Sequence, residues 1–169
     1  MKFICNKDTI LSVVQTTSKA AAGKSSIQAL EGILMELEGN TLTVTGYDLD
    51  IGIKTSIEVE GIESGNIVIS AKMAVDIIRK MPSGSITFEC SGNNLAEITN
   101  NMTSFSVSCS SADDYPNVPQ VNPDTSFTMP QKLLKSMIIQ TKFAVAVVDS
   151  KPALMGCKFE LENNVLSVA

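Results

Sequence analysis

The sequence predicts an α+β protein built from repeated β-α-β-β-β units, with helices on one face of antiparallel sheets. Three observations predict it. Residues 67–100 run as a short β-branched strand, a helix ended by Pro82 and Gly84, and two alternating strands joined at Gly92-Asn93-Asn94. The same succession of periodicities begins at residue 1 and again at Ser126. Charge is also segregated. Residues 7–24, 72–81 and 131–142 carry nine Lys/Arg against two acids, whereas the rest carries four Lys against sixteen acids.

The first copy opens with a strand at residues 2–5, and Asn6 is placed to cap a helix from 7 or 8 to about 18. Ile10, Val13, Val14 and Thr17 form its core stripe, with Leu11 at the margin; Asp8, Ser12, Gln15, Thr16 and Lys19 face the other way. A hairpin of residues 33–38 and 42–45 turns at Gly39-Asn40, and an alternating strand follows through Ile51, Ile53, Ile57 and Val59.

In the second copy Ser70 leads from strand 67–69 into the helix. Ala74, Ile77, Ile78 and Met81 make one apolar stripe, while Lys72, Asp76, Arg79 and Lys80 lie opposite. At about 100° per residue, Lys72 and Arg79 point almost the same way. Strands 86–91, 95–99 and 105–109 complete the copy. One copy alone leaves a sheet face uncovered; two together make a two-layer domain.

Residues 111–124 hold three of the six prolines and no periodicity, and read as a linker. The third copy has a strand at 127–129, Pro130 in a first helical turn, and a helix with Leu133, Leu134, Met137 and Thr141 inward. Lys132, Lys135 and Lys142 share another face, which Ile139 interrupts. After a connection over 145–154, a hairpin of 157–161 and 165–168 turns over Glu162-Asn163-Asn164. The chain then stops mid-strand and reads as truncated. The expected domains are 1–122, with its linker from about 111, and 123–169, the first half of another.

Composition narrows function. A content of 44% hydrophobic residues in 169 is ample for a core. No run approaches the roughly 20 apolar residues of a membrane helix, and residues 1–10 turn polar too early for a signal peptide. A soluble, cytoplasmic protein is expected. The chain has no histidine, which removes the usual general base, the Ser-His and Cys-His nucleophiles and the commonest metal ligand. Cys5, Cys90, Cys109 and Cys157 each fall in a predicted strand without a CxxC pair, so buried free thiols are expected rather than a metal or redox site. Gly23-Lys24-Ser25 is not a phosphate loop, though Lys24 remains a candidate phosphate contact. Ser18 occupies the required first glycine, and a helix rather than a strand precedes it. Asp48 and Asp50 lack a third ligand nearby and read as turn residues.

Three helices, apolar on one side and basic or neutral on the other, thus sit above acidic sheets. Arranged around an axis with the helices inward, they would contact phosphates without reading bases. The natural inference is a sequence-independent sleeve for duplex, held by topology more than by charge.

Four stretches then carry a resemblance: MKF at 1–3, TLTVTGYDLD at 41–50, SADDYPN at 111–117 and DSKPALMG at 149–156. In order along the whole chain, they resemble the bacterial replicative sliding clamps, the beta subunits of DNA polymerase III. The resemblance implies a DNA-clamp fold and a ring of two protomers, each of three domains holding two β-α-β-β-β units. This chain would be an N-terminal fragment of one protomer. It also implies a processivity factor for DNA replication without catalysis or cofactor of its own. Implied partners are duplex DNA, and a replicative polymerase and clamp loader that insert a short hydrophobic peptide. Lys24 matches a phosphate-touching loop position, usually arginine in relatives. Lys72, Arg79 and Lys80 match the channel-lining helix of the first domain, and Lys132, Lys135 and Lys142 that of the second; Lys151 joins this nucleic-acid-binding set. Phe105 and Val107 match the strand that meets the partner protomer, and Leu154 one wall of the peptide pocket. The chain departs from the pattern in Ser12 and Gln15, which leave the first helix less basic, and in Pro152-Ala153, where some relatives carry aromatics.

Two rival readings come from other classes. A protein-interaction scaffold would pair through exposed sheet edges and ignore salt and DNA. An enzyme would use Asp48, Asp50 and a metal.

Overall fold

The computed structural model describes residues 1–92, 94–119, 126–148 and 150–169. The chain divides into two compact units, Met1–Gln120 and Val121–Ala169.

In the first unit the two copies exchange strands. The first copy comprises β1 (Lys2–Asn6), α1 (Lys7–Thr17), β2 (Gly32–Glu38), β3 (Thr41–Tyr47) and β4 (Gly52–Glu58). A short β5 (Glu60–Glu63) intervenes. The second comprises β6 (Gly65–Ser70), α2 (Ala71–Lys80), β7 (Ser85–Cys90), β8 (Leu95–Thr99) and β9 (Ser104–Ser110). All ladders are antiparallel, in the order β4-β3-β2-β6-β9-β8-β7-β1-β5. Each copy's opening strand therefore pairs with the other copy's hairpin: β1 lies on β7 and β6 on β2. Phe3 sits opposite Phe88 in that register, and their rings stack with centroids 5.1 Å apart. Neither copy can complete its sheet alone. The two halves meet at a narrow seam where β6 pairs β9 only at Val68–Ser110 and Ile69–Cys109.

Both helices in this unit follow their apolar periodicity. Asn6 caps α1, its Oδ1 accepting from the amides of Asp8 (2.9 Å) and Thr9 (3.3 Å). Ile10, Val13, Val14 and Thr17 are all buried. Ser70 caps α2, and Ala74, Ile77, Ile78 and Met81 are buried with Val75 in the same cluster. That cluster joins both helices to β1, β2, β3, β6, β7, β8 and β9.

Several expectations are corrected. Ile51 precedes β4 and is 58% exposed, and β5 is an additional strand that covers the free edge of β1. The proline-rich stretch from 111 is no free linker as far as Pro119. Tyr115 is buried with Leu30, Tyr47 and Val68, its hydroxyl donates to the Thr45 carbonyl at 3.3 Å, and Val118 packs on the same cluster. Two apolar side chains among the prolines suffice to dock it. Residues 120–124 of the expected linker lie outside the described residues, as does Asn93 of the hairpin turn.

Burial pushes the Tyr115 phenol from its ordinary 10.0 up to about 12, and the buried Cys5 thiol from 9.0 to about 12. Both raised values favour the protonated fold. The associated stability is complete below pH 9 and is lost as pH rises through that window to about 12. The urea midpoint of the first unit is therefore expected to fall steadily above pH 9. In Tyr115→Phe the part of that decline lying between pH 10 and 12 shrinks; an unchanged pH profile would contradict the assignment.

The second unit contains α3 (Gln131–Thr141) and a hairpin of β10 (Phe159–Glu162) and β11 (Val165–Val168). Asn163 and Asn164 both have positive φ, 50° and 63°, as a two-residue hairpin turn requires. No described residue of α3 is buried. Leu133, expected inward, is 52% exposed, while Leu134, Met137 and Thr141 are half-buried. Residues 127–129 are not a strand, because no described strand offers them a ladder. Pro130 is the cap itself, accepting from the amides of Leu133 and Leu134. Cys157 lies just ahead of β10, not in it.

Candidate nucleic-acid interface

The amphipathicity of α2 sets the geometry of the site. With Ala71, Ala74, Val75, Ile77 and Ile78 buried, the helix turns Lys72, Arg79 and Lys80 outward. Arg79 and Lys80 occupy the last turn, where cations complement the helix dipole. Asp76 lies 3.9 Å from Arg79, one turn back on the same face. This exposed i,i+3 contact is weak and leaves Arg79 free to turn toward an anion. Among the described residues Lys72 and Lys80 make no ion pair.

Lys24 is exposed in the loop after α1. That loop is tied down by the Ala22 amide on the Leu30 carbonyl (2.8 Å) and by the Ser25 amide on Glu31 Oε1 (3.2 Å). Gly23, next to Lys24, and Lys72 both line one groove of about 1020 Å³. The structure thus brings the Lys24 loop to the start of α2, a juxtaposition that residue spacing did not reveal. Glu31, Asp76 and Asp114 also line the groove, so its charge is mixed. Helix α1 packs against α2 but adds little charge. Thr16, Thr17 and Ser18 bond their own helix carbonyls, and Lys7 is paired with Asp8 at 3.2 Å. Lys19 is exposed just beyond.

In the second unit Lys132 and Lys135 are exposed on α3, with Ile139, 50% exposed, on the same side as Lys132. Lys142 lies beyond the helix, in a 3-10 turn (Lys142–Ala144). Lys151 is exposed before a second such turn (Pro152–Met155) that carries Leu154, 53% exposed. Asp149 lies outside the described residues.

Of the two expected interface residues, Val107 is buried in the core and Phe105 is half-buried against it. The strand, rather than the Val107 side chain, faces outward. Over residues 104–108 β9 pairs with β8 on one edge, and its other edge has no strand partner among the described residues.

Asp48 is a turn residue. Its Oδ1 accepts from the amides of Ile51 (2.7 Å) and Asp50 (3.0 Å), and these bonds, Ile51's first, hold its carboxyl below the usual carboxylate range. No group of three or more potential metal ligands occurs among the described residues.

Residues 1–119 match the family model described as the DNA polymerase III beta subunit, N-terminal domain. The chain belongs to the DNA polymerase III beta subunit family. It is 33% identical to the beta sliding clamp of Halalkalibacterium halodurans over 175 residues, covering 99% of this chain and 46% of that protein. To the beta sliding clamp of Bacillus subtilis it is 32% identical over 174 residues, covering 98% and 46%. The crystal structure of a putative DNA polymerase III beta subunit from Eubacterium rectale superposes with a TM-score of 0.89 at 33% identity, covering 99% of this chain and 46% of that one. The chain therefore has the α+β fold of the sliding clamps, and spans about half the length of the curated relatives it matches.

Proposed function

We propose that this chain is part of a sliding clamp that encircles duplex DNA without reading its sequence and tethers a replicative polymerase for processive synthesis. The observation that carries the reading is the exposed cationic face of α2, beside the Lys24 loop, in a member of the beta subunit family. Lys24, Lys72, Arg79 and Lys80 would meet phosphates from the first unit, and Lys132, Lys135, Lys142 and Lys151 from the second. Residues 1–122 would form one clamp domain, and 123–169 part of the next. The unpaired edge of β9, flanked by Phe105, would extend its ladder into a second protomer. Leu154 would help receive a short hydrophobic peptide from the polymerase or clamp loader. The protein would act in the cytoplasm as a processivity factor, with no chemistry of its own.

Encirclement makes a distinctive prediction. A chain extended to the full length of its relatives is loaded on nicked circular duplex, which is then cut. Retention on the circle with rapid loss from the linear form is the expected result. Equal retention on both, weakened in proportion by salt, would mean ordinary phosphate binding. Indifference to DNA and salt would favour a scaffold that pairs through sheet edges.

A further inference from the structure

The four cysteines are not equivalent. Cys5, in β1, is buried in the core of the first unit, and Cys157 accepts from the Thr141 hydroxyl at 3.6 Å. Cys90 and Cys109, by contrast, face each other with sulfurs 3.2 Å apart. They belong to β7 and β9, which β8 separates for most of its length, but β8 starts only at Leu95. Cys90 pairs with Ala96 near the start of β8, Cys109 lies one residue past the Leu95–Ser108 pair, and the two thiols meet across that end, beside the seam where Cys109 pairs with Ile69 of β6.

This meeting point is open. A cavity of about 310 Å³ is lined by both cysteines together with Met1, Gly65, Gly92 and Ser110. Cys90 is half-buried and Cys109 buried. The N-terminal ammonium also lies here, donating to the Cys90 carbonyl at 3.1 Å and lying 3.7 Å from Glu63 Oε1.

We propose that Cys90 and Cys109 form a redox-responsive dithiol, closed to a disulfide by a hydroperoxide and reopened by a thiol reductant. The Cys90 sulfur, the more accessible, attacks a peroxide oxygen. The O–O bond breaks, water or an alcohol leaves, and Cys90 becomes a sulfenic acid. The Cys109 sulfur then attacks Cys90, the S–O bond breaks, and water leaves with the last thiol proton. Two electrons pass from the pair to the peroxide. Burial and the neighbouring Cys90 push the Cys109 thiol up to about 12, which disfavours it as the group that meets the peroxide first. The bond would pin the end of β9 where it crosses from β8 to β6.

The test uses the 169-residue chain, reduced and then exposed to hydrogen peroxide. Non-reducing peptide mapping is expected to give one internal cross-link joining the Cys90 and Cys109 peptides, with a mass loss of two hydrogens, reversed by dithiothreitol. In Cys109→Ser a sulfenic acid is expected to persist on Cys90, trapped by dimedone. A second measurement needs no variant: phenylarsine oxide, which requires two adjacent sulfurs, should bind once per chain and block the cross-link. Overoxidation of Cys90 without cross-linking in the unaltered chain, or failure to retain the arsenical, would overturn the proposal.

Discussion

Gly46→Ala is expected to destabilise the first unit by about 4 kcal/mol or more, toward the extreme for a single methyl group. Gly46 lies in β3 opposite Ile53, where the last turn of α1 crosses the strand. A Cβ there would overlap the Thr17 carbonyl and sit 3.5 Å from the Ala21 amide. The obstacle is main chain, so no rotamer change relieves it. Backing α1 away would uncover Val13, Val14 and Thr17, which are at most 5% exposed. Replacing glycine restricts the unfolded chain and favours folding by about 0.4–1 kcal/mol, far less than the clash. Gly23→Ala is the control: a Cβ there meets nothing within 4 Å, and a change within about 0.5 kcal/mol is expected. Urea midpoints of the two variants check the contrast. A Gly46→Ala midpoint as high as that of the parent would mean that helix and strand are not in main-chain contact.

Periodicity in the sequence made the two helices of the first unit legible, and not their surroundings. The stripes predicted for α1 and α2 are buried residue for residue. The stripe predicted for α3 follows the same rule, yet no described residue of α3 is buried. A 3.6-residue pattern identifies the apolar face; it does not supply what covers it. Strand partners were equally hidden. Alternation predicts a strand but not its neighbour, so the exchange of β1 and β6 between the copies had no local signature. Tyr115 was hidden among prolines. At the candidate site, the outward turn of Lys72, Arg79 and Lys80 followed from helix geometry, whereas Lys24 was legible as a candidate phosphate contact but its neighbours in the fold were not. Its approach to α2 depends on how the loop after α1 folds back on Leu30.

Replacing Lys72, Arg79 and Lys80 together by alanine is expected to weaken the salt-dependent binding of duplex in the chain extended to its relatives' full length, while leaving the fold and the topological retention on a closed circle intact. All three side chains are exposed, so the structural cost is confined to the α2 dipole and the long Arg79–Asp76 contact. Those amount to about 0.3–1 kcal/mol for the helix end and less for the pair. The effect on DNA is larger, because each phosphate contact removed lowers the slope of log K against log salt by about 0.9. Asp76 would then stand unopposed on the same face and repel the backbone it formerly shared with Arg79. The loss should be the same for every duplex sequence, since phosphate contacts carry no base information. Three observables separate the outcomes. An unchanged urea midpoint with a shallower salt slope, and retention preserved on the closed circle, supports a channel lined by α2. A lowered midpoint would assign these residues to the fold, and an unchanged slope would move the DNA contact elsewhere on the ring.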